Sequence, residues 1–194
     1  MSAGKSGSRA AVAVKRAGRA RVVRIIGGTW RGRKVRFPVF NWLGTRTPGA
    51  RALDLFAGSG ALGLEALSRG ASHVTFVEQD EAAVRELRAR LAEWQAGDAR
   101  VVRADALRYL AGEARPFDLV FLDPPFASEL LGEAARLLEE RHWLKPGALI
   151  YVECAARAGL PLLPAPWRAL RAKQAGEVGY HLFAHTAPVA ADTV

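Results

Sequence analysis

Four carboxylates, Asp54, Glu78, Asp105 and Asp123, each stand at or just after the end of an apolar run of strand type. Acids gathered this way serve general acid–base chemistry or metal binding, although a single acid after a strand also caps the helix that follows. Gly58-Ser59-Gly60-Ala61-Leu62-Gly63 fits the GxGxxG pattern behind a strand, and Glu78 lies 18 residues past Gly60. That spacing belongs to the dinucleotide fingerprint, so a nicotinamide oxidoreductase is one reading. Two features count against it. Asp54 ahead of the loop would repel a pyrophosphate but suits an ammonium group. Asp123-Pro124-Pro125-Phe126 has no part in hydride transfer. A ligand with a positive end, a ribose and an adenine fits better: glycine lets the backbone approach, Glu78 accepts from the ribose hydroxyls, and Asp105 accepts from the adenine amine. That ligand is S-adenosylmethionine.

The elements that must position these residues follow from periodicity. Strands are predicted at 52–56, 73–78, 100–104, 117–122 and 148–153, with helices at 60–69, 80–95 and 128–141 and a short one after Asp105. In 80–95, Val84, Leu87, Leu91 and Trp94 recur at helical spacing. Pro146-Gly147 is read as a turn, and 167–173 with 179–184 as a closing hairpin around Gly176. Strand alternating with helix is the pattern of a parallel sheet covered on both faces. In such a sheet ligands bind beyond the carboxyl ends of the strands, where the four acids fall.

The 194 residues carry 28 Lys/Arg against 19 Asp/Glu, a net charge of +9. Residues 1–50 hold 12 of the cations and no acid, so the remainder is net −3. A basic arm on a near-neutral body points to a polyanion, nucleic acid above all. Four segments follow: 1–20, a disordered basic tail that a transit peptide would resemble; 21–50, a basic extension; 51–186, the α/β domain; and 187–194, a flexible end. Val22–Ile26 and Lys34–Phe37 predict a small hairpin or strand pair carrying Arg24, Trp30, Arg31, Arg33, Lys34 and Arg36, cations and an aromatic that can follow a phosphate backbone and stack a base. One cysteine excludes a disulfide scaffold and a Cys-cluster zinc site and fits a reducing, cytoplasmic setting. No run approaches the roughly 20 apolar residues of a membrane helix, so no membrane partner is expected. The four histidines lack metal spacing, and no metal is expected. Cys154, Trp94, Trp143 and Trp167 are assigned to packing.

RIIGGTWRGRKV (24–35), FNWL (40–43), LDLFAGSGALGLEALSRGA (53–71), LDPPF (122–126) and ALIYVE (148–153) together resemble the RsmD family, class I methyltransferases that modify the N2 amine of a guanine in 16S ribosomal RNA. The resemblance implies a Rossmann-like, mostly parallel sheet with an antiparallel C-terminal hairpin, helices on both faces and a small N-terminal basic β extension. It implies S-adenosylmethionine held by Asp54, Phe56, Ala57, Gly58, Ser59, Gly60, Glu78, Asp105 and Ala106. It implies catalysis at Asp123, Pro124, Pro125 and Phe126, and a monomer acting on 16S RNA, free or in an assembling small subunit.

A guanine amine is a poor nucleophile, because its lone pair is delocalised into the ring. Asp123 and the Pro124 carbonyl can accept its two hydrogens and aim the lone pair out of the base plane, while Phe126 offers a face for an everted base. Between Phe37-Pro38 and Phe40 the family carries a stretch resembling LRPTxDRVRETL that begins a helix beside the donor pocket. This chain lacks it, and 44–50 reads as a loop. That absence leaves open a donor- or RNA-binding homologue without activity; related turns also serve an adenine N6 amine in DNA or RNA and a protein glutamine, against which the arm argues.

Overall fold

From Arg51 onward, four- to six-residue apolar runs alternate with helices that bury one stripe, and each run needs cover on both faces. The computed structural model describes residues 39–125 and 129–186 in full, with the backbone of Pro38 and of four short strands before it. In chain order the elements are β1 (Val14–Ala17), β2 (Ala20–Val23), β3 (Thr29–Trp30), β4 (Arg33–Lys34), α1 (Pro38–Leu43), a 3-10 turn (Gly44–Arg46), β5 (Arg51–Asp54), α2 (Ala61–Ser68), β6 (His73–Glu78), α3 (Glu81–Glu93), β7 (Ala99–Arg103), α4 (Ala106–Leu110), β8 (Phe117–Leu122), α5 (Leu130–Glu140), β9 (Leu144–Ala155), β10 (Trp167–Ala175) and β11 (Val178–His185).

Seven strands form one sheet in the order β10-β11-β9-β8-β5-β6-β7. The five from β9 to β7 are parallel, and β9, β11 and β10 are antiparallel. One face is covered by α4 and α5, through Leu110, Leu131, Ala134 and Leu138. The other is covered by α1, α2 and α3, through Phe40, Leu43, Leu62, Leu64, Leu87 and Leu91. Trp94, Trp143, Trp167 and Cys154 are buried, as expected. No helix among the described residues is long and apolar enough to cross a membrane.

Three local differences from the sequence reading have physical causes. β9 starts at Leu144 rather than 148, so Pro146-Gly147 lies inside a strand. The register jumps there, from Phe117↔Leu144 to Leu119↔Leu149, and the extra β9 residues bulge out of the ladder. FNWL forms most of α1, whose proline start supplies a preset φ. The helix keeps Val39, Phe40 and Leu43 buried, with the Phe40 and Phe121 ring centres 5.8 Å apart.

In the basic arm the structure has two separate antiparallel pairs, β1–β2 and β3–β4, instead of one pair between 22–26 and 34–37. Closing a loop of two residues costs less entropy than bridging the longer gap. β1 falls inside the stretch predicted to be a disordered tail. Ala20 opens β2, and the other residues of 1–20, with 187–194, lie outside the described residues.

Candidate active site

The order of strands places the acids in a line. Leu122 registers with Val152 and Asp54 with Phe121, so the carboxyl ends of β9, β8, β5 and β6 bring Glu153, Asp123, Asp54 and Glu78 along one rim, with Asp105 just beyond β7. Chain order reverses direction between β5 and β8, the place where open α/β sheets form their crevice. Asp54 and Asp123 flank that point. The glycine turn, Glu78 and Asp105 lie on one side of it, and the Asp123-Pro124-Pro125 turn on the other.

The turn after β5 is shaped by close approach. Gly58 and Gly60 sit at φ of +50° and +78°, in the left-handed region. A Cβ on Gly60 would stand 2.5 Å from Leu87 Cδ1, and one on Gly63 would stand 2.2 Å from the Phe76 ring. Glycine at 63 therefore lets α2 lie directly on β6. Around the turn, Ala57 N–H donates to the Val77 carbonyl at 2.9 Å and Gly60 N–H to the Ala57 carbonyl at 2.6 Å. Ser59 is exposed, while Phe56 is half-buried against the α4/α5 face. The space next to Gly58 is open to 4 Å, so backbone rather than side chain faces it.

Asp54 is 2% exposed, and its Oδ2 accepts from the Gly63 N–H at 2.9 Å. Burial pushes its pKa up to about 7; the Gly63 hydrogen bond opposes this, and the charges of Asp123 and Glu78 add to it. Among the described residues it makes no ion pair, so an incoming ammonium would supply the missing countercharge. Glu78 Oε2 accepts from the Gly58 N–H at 2.7 Å and Oε1 from the Asp80 N–H at 2.8 Å. The carboxylate thus ties the glycine turn to the start of α3, with lone pairs left for a ligand hydroxyl. Asp105 caps α4 through Oδ1, which accepts from the Arg108 N–H at 3.0 Å, and no bond to Oδ2 is present among the described residues. Ala106, next to it, is buried. These groups fit a ligand with an ammonium, a ribose and an adenine.

Across the crevice the chemistry is acidic and aromatic. The Asp123 carboxyl is crowded by protein on its inner side while the residue as a whole is open to solvent, and it is held above the usual range. Glu153 is also raised, by burial first and then by the charge of Asp123. The Tyr151 hydroxyl donates to Glu153 Oε1 at 2.9 Å, and the Tyr151 ring stacks on Tyr180 at 6.5 Å. Pro124, Pro125 and Glu153 share the wall of a cavity of about 230 Å³ with Gly132 and Leu160. A larger hollow of about 450 Å³ along Arg88, Leu91 and Val101 lies on α3 and β7, away from the carboxyl ends.

Glu153 and Tyr151 were not singled out as site residues by their types or spacing. Their only signal was that ALIYVE ends in an acid, and its partner Asp123 becomes visible only through strand register. Phe126, Arg24, Arg31 and Arg36 lie outside the described residues; Trp30, Arg33 and Lys34 are described only as strand backbone. Among the described residues, no group of three or more His, Cys, Asp or Glu could hold a metal ion.

A switch-point crevice with a glycine turn and an acid on one side and an Asp-Pro-Pro turn on the other is the arrangement of a class I methyltransferase. Residues 23–184 match the family described as conserved hypothetical protein 95. Ribosomal RNA small subunit methyltransferase D of Escherichia coli K12 is 47% identical over 176 positions, covering 83% of this chain and 89% of the relative. Its Haemophilus influenzae counterpart is 42% identical over 180, covering 83% and 93%. The solved structure of the putative methyltransferase yhhF from Escherichia coli superposes with a TM-score of 0.77 at 48% identity, over 84% of this chain and 98% of that one. This chain belongs to the family of ribosomal RNA small subunit methyltransferase D. The 176 aligned positions exceed the part of this 194-residue chain they cover, so the relative has positions without a counterpart here.

Proposed function

We propose that this protein transfers the methyl group of S-adenosylmethionine to the exocyclic N2 amine of a guanine in 16S ribosomal RNA. The observation that carries the reading is the division of the rim at the β5/β8 switch point, with the glycine turn tied to Glu78 on one side and the Asp123-Pro124-Pro125 turn on the other. The sulfonium supplies an activated methyl and is its own leaving group. Asp54 holds the ammonium end, with Phe56, Ala57, Gly58, Ser59 and Gly60 forming the turn beside it. Glu78 takes the ribose hydroxyls, and Asp105 with Ala106 takes the adenine.

On the other side, Asp123 and the Pro124 carbonyl accept the two amine hydrogens and turn the nitrogen lone pair toward the methyl carbon. The N–C bond forms as the S–C bond breaks, its electrons staying on sulfur. The proton released from nitrogen passes to the Asp123–Glu153 pair, already raised toward holding one. Prolines at 124 and 125 stiffen the turn, and Phe126 stacks on the everted base. The basic arm, with Arg24, Trp30, Arg31, Arg33, Lys34 and Arg36, holds RNA phosphates. We place the protein in the cytoplasm, as a monomer acting on the RNA free or in an assembling small subunit.

Mass mapping of 16S RNA from cells with and without the gene tests the reading. A guanine that loses one N2 methyl in the deletion supports it. An unchanged methylation pattern, or calorimetric binding of NAD without binding of S-adenosylmethionine, overturns it.

A further inference from the structure

β10 forms one edge of the seven-stranded sheet and, among the described residues, pairs only with β11. Every β10 residue after Trp167 is exposed. Arg168 registers with Ala184, Arg171 with Leu182 and Lys173 with Tyr180. Those three β11 partners all belong to the α1/α2/α3 face. Arg168 and Arg171 are three positions apart, and in an unbroken strand they would point to opposite faces. The register shift between Ala169 and Arg171 brings them to the same one.

That line of cations leads into the site. Lys173 registers with Tyr180, Tyr180 with Glu153, and Glu153 stands beside Asp123 through the Leu122↔Val152 pairing. Three strand spacings, about 14 Å, separate the edge from the DPP turn. Several cations on or beside the helices are tied to acids, as in Arg69–Glu65, Arg85–Glu81, Arg90–Glu86 and Arg136–Glu133, while Arg88 on α3 donates to the Val101 carbonyl. Arg168, Arg171 and Lys173 make no ion pair among the described residues. The only acid in the hairpin is Glu177, in its turn.

We infer that Arg168, Arg171 and Lys173 form a phosphate track for the RNA strand flanking the target nucleotide. The inference rests on the RNA-methylating reading above. Residues 51–194 carry net −3, which would repel a polyanion. A strand approaching the rim therefore needs local countercharge, and free cations at alternate positions of an extended edge supply it. The basic arm and this track would then grip RNA at two separate places.

The test is the triple variant R168Q/R171Q/K173Q in the full chain, with its melting temperature and donor affinity checked against the unaltered protein. Log affinity for 16S RNA is measured against log salt, together with KM and kcat for methyl transfer. The expected result is a salt slope shallower by about 2, at about 0.7 per phosphate contact on single strands. KM for RNA should rise about tenfold or more, with kcat and donor affinity unchanged. An unaltered slope and KM in a folded variant overturn the inference. Self-association of the variant with the slope unchanged would assign the cations to guarding an open sheet edge, which also overturns it. If the unaltered protein itself neither binds nor methylates the RNA, it is the functional reading that fails.

Discussion

Gly58 donates its backbone N–H to Glu78 at 2.7 Å, joining the turn after β5 to the end of β6 through one carboxylate. The second oxygen of Glu78 takes the Asp80 N–H, so the group is oriented before any ligand arrives. Removing it undoes both bonds together with the acceptor proposed for the ribose. Glu78→Ala should weaken S-adenosylmethionine binding by roughly 10- to 100-fold, the worth of a hydrogen bond to a charged group. Calorimetry reads the affinity, and an unchanged value removes Glu78 from the donor site.

Asp54 links pH to stability. In the folded chain it keeps its proton up to about pH 7, against 3.8 for the ordinary group. Between those values the folded state binds the extra proton, so this group's contribution to stability falls as pH rises from about 4 to about 7, and is level above that. Asp54→Asn can still accept from Gly63 and has no charge to bury. At pH 8 it should be more stable than the unaltered protein by on the order of 1–4 kcal/mol, at about 1.4 kcal/mol per pKa unit. Its donor affinity should nevertheless fall. Denaturant unfolding at pH 5 and pH 8, with calorimetry at pH 8, checks both halves.

Gly63 carries the contact between α2 and β6. Gly63→Ala puts a methyl into the Phe76 ring, so helix or ring must shift, at a cost of about 1–3 kcal/mol of overpacking. A lowered denaturant midpoint with an unchanged slope is expected. An unaltered midpoint would mean that the helix moves away freely.

Asp123→Ala should reduce methyl transfer by about 10²- to 10⁴-fold, as loss of a positioned proton acceptor does, with donor binding kept within about threefold. Full turnover would exclude Asp123 from the chemistry.

Burial raises Asp123, and burial together with the charge of Asp123 raises Glu153, so the rate should climb with pH as the pair ionises. Glu153→Gln removes the neighbouring charge, and that limb of the pH profile should move to lower pH. A merely structural role for Glu153 would lower the rate and leave the limb in place.

The strand–helix alternation is legible in the residues alone, because apolar runs that need cover on both faces declare themselves in periodicity. So are the glycine turn, whose spacing reflects backbone that no side chain can replace, and the packing of Trp94, Trp143, Trp167 and Cys154. Which acids meet is settled in the folded sheet. Strand order is not written in any local pattern, so it took the β9–β8–β5 adjacency to put Glu153 beside Asp123. The same holds for Pro146-Gly147, a turn by composition that neighbouring ladders hold inside β9, and for the β10 cations, aligned by a bulge that exists only in register with β11. Local chemistry is legible in one dimension; adjacency across hydrogen-bonded strands depends on how distant segments share a core.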